Sequence, residues 1–123
     1  KLPKACFIFD YPASQAALAQ TGIDELGNAV ARRFEVYIHG IELANGYQEL
    51  TDAKEQKRRF EVDNTIRATM GKSTMAGDIR LISALKAGLP ECCGVALGIE
   101  RLLMLVLGER DIAKVMAFNH HLA

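Results

Sequence analysis

The sequence predicts an α+β fold: an antiparallel sheet with flanking helices. Three observations carry that expectation. Apolar and polar residues alternate with period two from Phe34 to Ile38, and His39-Gly40 then offers a turn into a second strand from Ile41 to about Leu50. Thr51 to Met70 opens on a helix-capping signal and closes on Gly71. A β-like stretch from Val95 to Leu97 runs through Gly98 into an apolar helix that stops at Gly108.

The composition agrees with one modest globular domain. Of 123 residues, 50% are hydrophobic and 24% charged, well inside the globular range. Fifteen Lys and Arg balance fifteen Asp and Glu, so no basic excess points to a nucleic-acid surface. No apolar run approaches the roughly 18 residues of a membrane span. Lys1-Leu2-Pro3-Lys4 has neither an initiator Met nor the pattern of a signal peptide, which leads to the expectation of a segment from within a longer chain. Cys6 and the adjacent Cys92-Cys93 lack CxxC spacing and read as reduced packing thiols of a cytosolic protein.

In chain order, Ala5 to Phe9 reads as a buried strand stopped near Pro12. Ser14 to Gln20 is a helical turn or an ordered loop, and Ala13, Ala16, Ala17 and Ala19 would let another segment pack close. Thr21 to Ala29, with two glycines and no clear period, reads as a loop. In the hairpin, a His39-Gly40 turn sets Tyr37 opposite Glu42 and Glu35 opposite Ala44. Glu35 and Glu42 then share a face. Strict alternation puts Asn45, Tyr47 and Glu49 on the other face. A β-bulge near Ala44–Gly46 would bring all five together, and bulges are common beside active sites. Such a face is either the wet side of a sheet or a cavity floor that holds a cation and an amine.

The helix from Thr51 to Met70 starts with Asp52-x-x-Glu55, a signal of capping-box type. Its apolar positions are sparse, so it lies on the surface, with Lys54, Lys57, Arg58 and Arg59 read as a solvated face. Gly71 to Gly77 is a polar linker. Asp78 to Ala87 is a short amphipathic helix with Ile79, Ile82 and Leu85 inward, ended by Gly88 and Pro90. Arg101 falls in the first turn of the last helix, where a cation opposes the macrodipole by about 0.3–1 kcal/mol. It therefore calls for a counter-charge: a bound anion, or a nearby acid such as Glu100 or Glu91. Gly98 permits close approach of a ligand or a tight turn. Asp111 to Met116 is a last helical turn, and His120-His121 in the tail is weak ground for a metal.

These residues carry a resemblance. F-I-F-D-Y-P, R-F-E-V-Y-I-H-G-I-E-L-A-N-G-Y-Q-E-L-T-D-A and G-V-A-L-G-I-E-R-L-L-M-L resemble the C-terminal part of a class II lysyl-tRNA synthetase catalytic core, from about Phe7 to Phe118. D-Y-P-A-S-Q-A-A-L-A-Q, I-E-L-A-N-G and G-V-A-L-G are most similar to the paralogous branch that activates (R)-β-lysine and attaches it to a lysine of translation elongation factor P. The resemblance implies ATP and Mg²⁺, with Glu35 and Glu42 as metal carboxylates. It implies ATP contacts at Glu42, at the Leu43 backbone, at Gly98 and at a catalytic Arg101. It implies an amino-acid site of Asn45, Tyr47, Glu49 and Ala96, with Ala96 standing where lysyl-tRNA synthetases have glycine. A cytoplasmic homodimer without tRNA binding is the implied setting. The alternatives are a lysyl-tRNA synthetase and a non-catalytic binding module. The first two class II signatures are absent from these residues, so the isolated chain is expected to be inactive. Glu100 replaces the more usual Asp, and the C-terminal Pro and Arg of many lysyl-tRNA synthetases are missing.

Overall fold

The hairpin lies at the centre of the sheet. Strands β3 (Ala29–Ile38) and β4 (Ile41–Gln48) are joined by His39 and Gly40 alone, at φ 51° and 83°. Positive φ at both central residues marks a type I′ turn, whose twist suits an antiparallel pair. The computed structural model describes residues 4–119; Lys1–Pro3 and the His120-His121 pair lie outside the described residues. Strand β1 (Ala5–Pro12) flanks β3, and β5 (Cys93–Leu97) flanks β4, all antiparallel in the order β1-β3-β4-β5. β1 continues past Phe9 to Pro12, which an edge strand allows because no ladder bond needs the missing N–H.

The loop expected over Thr21–Ala29 is instead a small hairpin. Strand β2 (Thr21–Ile23) pairs with Ala29–Ala31 of β3. Asp24 closes its turn, accepting from Leu26 N at 2.9 Å and Asn28 N at 2.7 Å. Carboxylates that hydrogen-bond their own backbone two residues on make such turns, and the glycines conceal the strand period.

Register sets which side chains meet. Pairing passes from Val36↔Ala44 directly to Tyr37↔Glu42, so Leu43 is the extra residue of a β-bulge. The bulge precedes the expected Ala44–Gly46 position. Its consequence matches the expectation: Glu35 now faces Asn45 rather than Ala44. Strand β1 also slips, at Asp10 (φ 56°), between Phe9↔Phe34 and Tyr11↔Ala31. Tyr11 thereby joins the face that carries Glu35.

Helix α1 (Ala53–Thr69) is capped by the Asp52 carboxylate, which accepts from Lys54 N and Glu55 N. Glu55 does not complete a capping box. It binds Arg58 and Arg59 instead, one turn on. Nor is Arg59 solvated: it donates to the Ala17 and Ala19 carbonyls at 3.0 and 2.7 Å, fastening α1 to the segment after β1. The alanines there pack as their size suggests, with Ala16 and Ala19 buried. Helix α2 (Ile79–Ala87) buries Leu85, but Ile79 is exposed rather than inward. Helix α3 (Ile99–Leu107) buries Met104 and ends at Gly108, which is left-handed at φ 69°. The expected last turn is a 3₁₀ turn, Ile112–Lys114, capped by Asp111.

Candidate active site

Residues paired across neighbouring strands share a face. One face of the sheet therefore carries the row Arg33–Tyr47–Gly94, the row Glu35–Asn45–Ala96 and the pair Tyr37–Glu42. Glu49 follows two residues beyond Tyr47. The bulge at Leu43 is what puts Glu42 on the side of Asn45.

Glu35 is the buried centre of this face, 8% exposed. Its Oε2 accepts from the Tyr11 and Tyr37 hydroxyls, both at 2.7 Å, and its Oε1 meets Arg33 Nη2. Burial alone would raise its pKa; the two hydroxyls and the guanidinium outweigh that and hold the carboxyl below its ordinary value. Burial and the same carboxylate push Tyr11 upward, and Glu35 chiefly raises Tyr37. Arg33 was not among the predicted site residues. Its guanidinium carbon lies 4.4 Å from the Tyr11 ring centre and 5.5 Å from that of Tyr47, and its Nη1 donates to Gln15 O at 2.9 Å. The signal was its parity: Arg33 is two residues before Glu35 on the same strand.

The end of α3 that approaches the sheet is fastened at the bulge. Gly98 N donates to Leu43 O at 2.9 Å, and Arg101 Nη1 to Glu42 O at 2.8 Å. The first of these continues the β4–β5 register one residue past Ala44↔Leu97, so the bulge that interrupts β3–β4 pairing leaves the β5 side of β4 in step. The counter-charge of Arg101 is Glu42, with Oε2 3.7 Å from Nη1, rather than Glu91 or Glu100. Arg101 is partly exposed and keeps donors for an anion. Leu43 is buried as a whole residue, and its carbonyl is taken by Gly98 N.

Two features bear on what this face can hold. Among the described residues, Asn45 Oδ1 is buried without a partner, as is Arg33 Nε. An orphaned buried acceptor costs free energy until a donor arrives. Glu49 lays its carboxylate over Gly94, where a Cβ would overlap Oε1. For a cation, Glu42 offers a partly exposed carboxylate. Glu35 accepts three hydrogen bonds of about four that a carboxylate can take, leaving one lone-pair direction. That set fits Mg²⁺, which takes one or two carboxylates and completes its shell with water and phosphate.

A family model described as "tRNA synthetases class II (D, K and N)" matches residues 2–121. The chain belongs to this family. Its α+β architecture is the class II synthetase one, and β5–Gly98–α3 is the strand–glycine–helix stretch that carries the resemblance. This class II synthetase chain is 56% identical over 117 residues to the elongation factor P–(R)-beta-lysine ligase of Proteus mirabilis, covering 95% of this chain and 35% of that protein. It is likewise 56% identical over 116 residues to the ligase of that name from Salmonella arizonae, covering 94% of this chain and 35% of the relative. The chain thus spans 35% of the length of the curated relatives it matches. Among the described residues no helix is long and apolar enough to cross a membrane.

Proposed function

We propose that the protein carrying this chain uses ATP to activate (R)-β-lysine as an adenylate and transfers it to a lysine of translation elongation factor P. The observation that carries this reading is the amine-ready floor. An unpartnered Asn45 Oδ1 and the Glu49 carboxylate lie on the same face, beside Ala96. A buried acceptor and an anion together favour an ammonium group, because a neutral analogue leaves the carboxylate without a counter-charge. The names of the relatives support the choice of substrate and acceptor.

Each residue has a role in that reaction. Glu49, Asn45 and Tyr47 hold the substrate amine and its chain, with Ala96 shaping the wall. The substrate carboxylate attacks the α-phosphorus of ATP, forming a C–O–P bond as pyrophosphate leaves. Arg101 stabilises charge that develops on the phosphates, Gly98 leaves room for the nucleotide, and the Leu43 backbone faces it. Glu35 and Glu42 would hold Mg²⁺, which when bound supplies electrostatic neutralisation of the phosphates. In the second step the acceptor lysine amine attacks the acyl carbon and AMP leaves. The setting is the cytoplasm, as a homodimer that does not charge tRNA.

The test is ATP–pyrophosphate exchange on the full-length protein with (R)-β-lysine and with α-lysine, followed by transfer to purified elongation factor P or to lysine tRNA. Exchange with (R)-β-lysine and label on the factor are expected. Preference for α-lysine with label on tRNA would establish a lysyl-tRNA synthetase instead, and no exchange would leave a binding module.

A further inference from the structure

Gly94 has no conformational reason to be glycine. The described glycines with positive φ are Gly27, Gly40, Gly71, Gly88 and Gly108, and Gly94 is not one of them. It sits in the interior of β5, where glycine weakens a strand and commonly marks a close approach. What approaches is the tip of Glu49. A Cβ at Gly94 would overlap Glu49 Oε1 and lie 3.4 Å from Cδ and 3.9 Å from Cγ; these are its three nearest neighbours, and none is backbone.

The register gives this contact a direction. Gly94 pairs with Tyr47, and the next row of that face is Asn45–Ala96. The backbone N of Glu49 is held by Cys92 O at 3.0 Å, and its carbonyl accepts from Gln20 Nε2 at 3.1 Å. With the backbone fixed on both sides, the side chain lies back along the sheet over Gly94, toward the row that contains the orphan Asn45 Oδ1. A Cβ in that seat would lift the carboxylate off the floor and into the space above it.

We infer that Gly94 is a specificity-determining positioning residue: by lacking a side chain it seats the Glu49 carboxylate on the floor, and so sets how long an amine-bearing substrate the site accepts. This rests on the proposed activation of a lysine-type amino acid. It adds that substrate length is read at a position whose missing side chain makes room for Glu49.

The test is Gly94→Ala in the full-length protein, assayed by ATP–pyrophosphate exchange with lysine-type substrates and with diamino acids one methylene shorter. The expected result is a rise of tenfold or more in KM for the lysine-type substrate, less than twofold change in KM for ATP, and a shift of relative kcat/KM toward the shorter substrate. In a Glu49→Asp background, where the carboxylate is already withdrawn, the effect of Gly94→Ala should fall below threefold. An unchanged amine KM and length preference in an active protein would overturn the inference and leave the proposed function standing. So would an undiminished effect in the Glu49→Asp background, or a Gly94→Ala chain that fails to fold, since the nearest obstruction is the end of one flexible side chain. Absence of exchange by the unmodified protein with every lysine-type substrate would overturn both.

Discussion

Gly46 and Gly94 are neighbours on adjacent strands, yet they serve opposite faces of the sheet. Gly46 pairs with Phe34 and Val95, and the Phe34 ring fills the space its Cβ would take. Gly94 pairs with Tyr47, and there the occupant is the Glu49 carboxylate. Behind Gly46 stand an aromatic ring and the Gly94 carbonyl, 3.1 Å from the missing Cβ. Behind Gly94 stands the end of a flexible chain. The same absence of a side chain thus secures packing on one face and places a charge on the other. Single residues of the two faces also differ in burial. Glu35 is 8% exposed, while Phe7 and Phe9 of the apolar face are each 66% exposed among the described residues. The polar face is ordered by mutual hydrogen bonds and stacking; the apolar face depends on shape.

That contrast can be broken from either side. The largest effect should come from Arg33→Met, which leaves Glu35 buried without its cation. Removing one partner of such a pair costs about 3–5 kcal/mol, read as a fall in the denaturant midpoint of the full-length protein. Glu49→Gln should keep the fold but lower kcat/KM for both lysine isomers about a hundredfold in pyrophosphate exchange, since each loses a charged partner. Gly46→Ala acts on the other face. Its methyl meets Phe34 and a backbone carbonyl, so overpacking should cost about 1–3 kcal/mol of stability, with amine KM in the surviving fold nearly unchanged. Ala96→Gly opens the wall beside Asn45 and should move the α/β-lysine ratio of kcat/KM roughly tenfold toward α-lysine; an unmoved ratio would make Ala96 a packing residue.

The smallest effect is on pH dependence. Hydrogen bonds from Arg58 and Arg59 hold Glu55 down to about 2. A depressed carboxyl stabilises the fold above its ordinary pKa, near 4.5, and loses that contribution as pH falls toward 2. Glu55 is a surface group, so Glu55→Gln should flatten the acid limb of the unfolding free energy against pH, from denaturant titrations, by less than about 1 kcal/mol. Glu35 has the same sign, and its share should remain in the Glu55→Gln protein.

How far the sequence could be read depended on whether the deciding contacts were local. The His39-Gly40 turn, the Asp52 cap and the Gly108 stop are set by neighbouring residues, and each was legible. The bulge was legible as a need, because Glu42 and Asn45 conflict in parity. Its position was not, because the Leu43 and Glu42 carbonyls are held by Gly98 and Arg101, more than fifty residues further along the chain. Arg33 was missed for a similar reason: its partners Tyr11 and Gln15 come from another strand and turn. The basic cluster on α1 read as solvated, yet Arg59 is committed to two carbonyls some forty residues upstream, at sequence separations of 42 and 40. Strand parity with a bulge grouped Glu35, Glu42, Asn45, Tyr47 and Glu49, family resemblance supplied their roles, and the observed register puts Glu35, Glu42, Asn45 and Tyr47 on one face.

Leu43 sets both the face on which Glu42 lies and the attachment of Gly98 at the start of α3. Deleting it would leave Tyr37 opposite Glu42, Val36 opposite Ala44 and Glu35 opposite Asn45, a ladder with no interruption and the same residues facing up. The face shared by Glu42 and Asn45 would survive such a deletion. The carbonyl that receives Gly98 N would go with the residue, and the start of α3 would need another acceptor on β4. The extra residue therefore lets one strand serve two neighbours: it falls out of step with β3 while keeping step with β5.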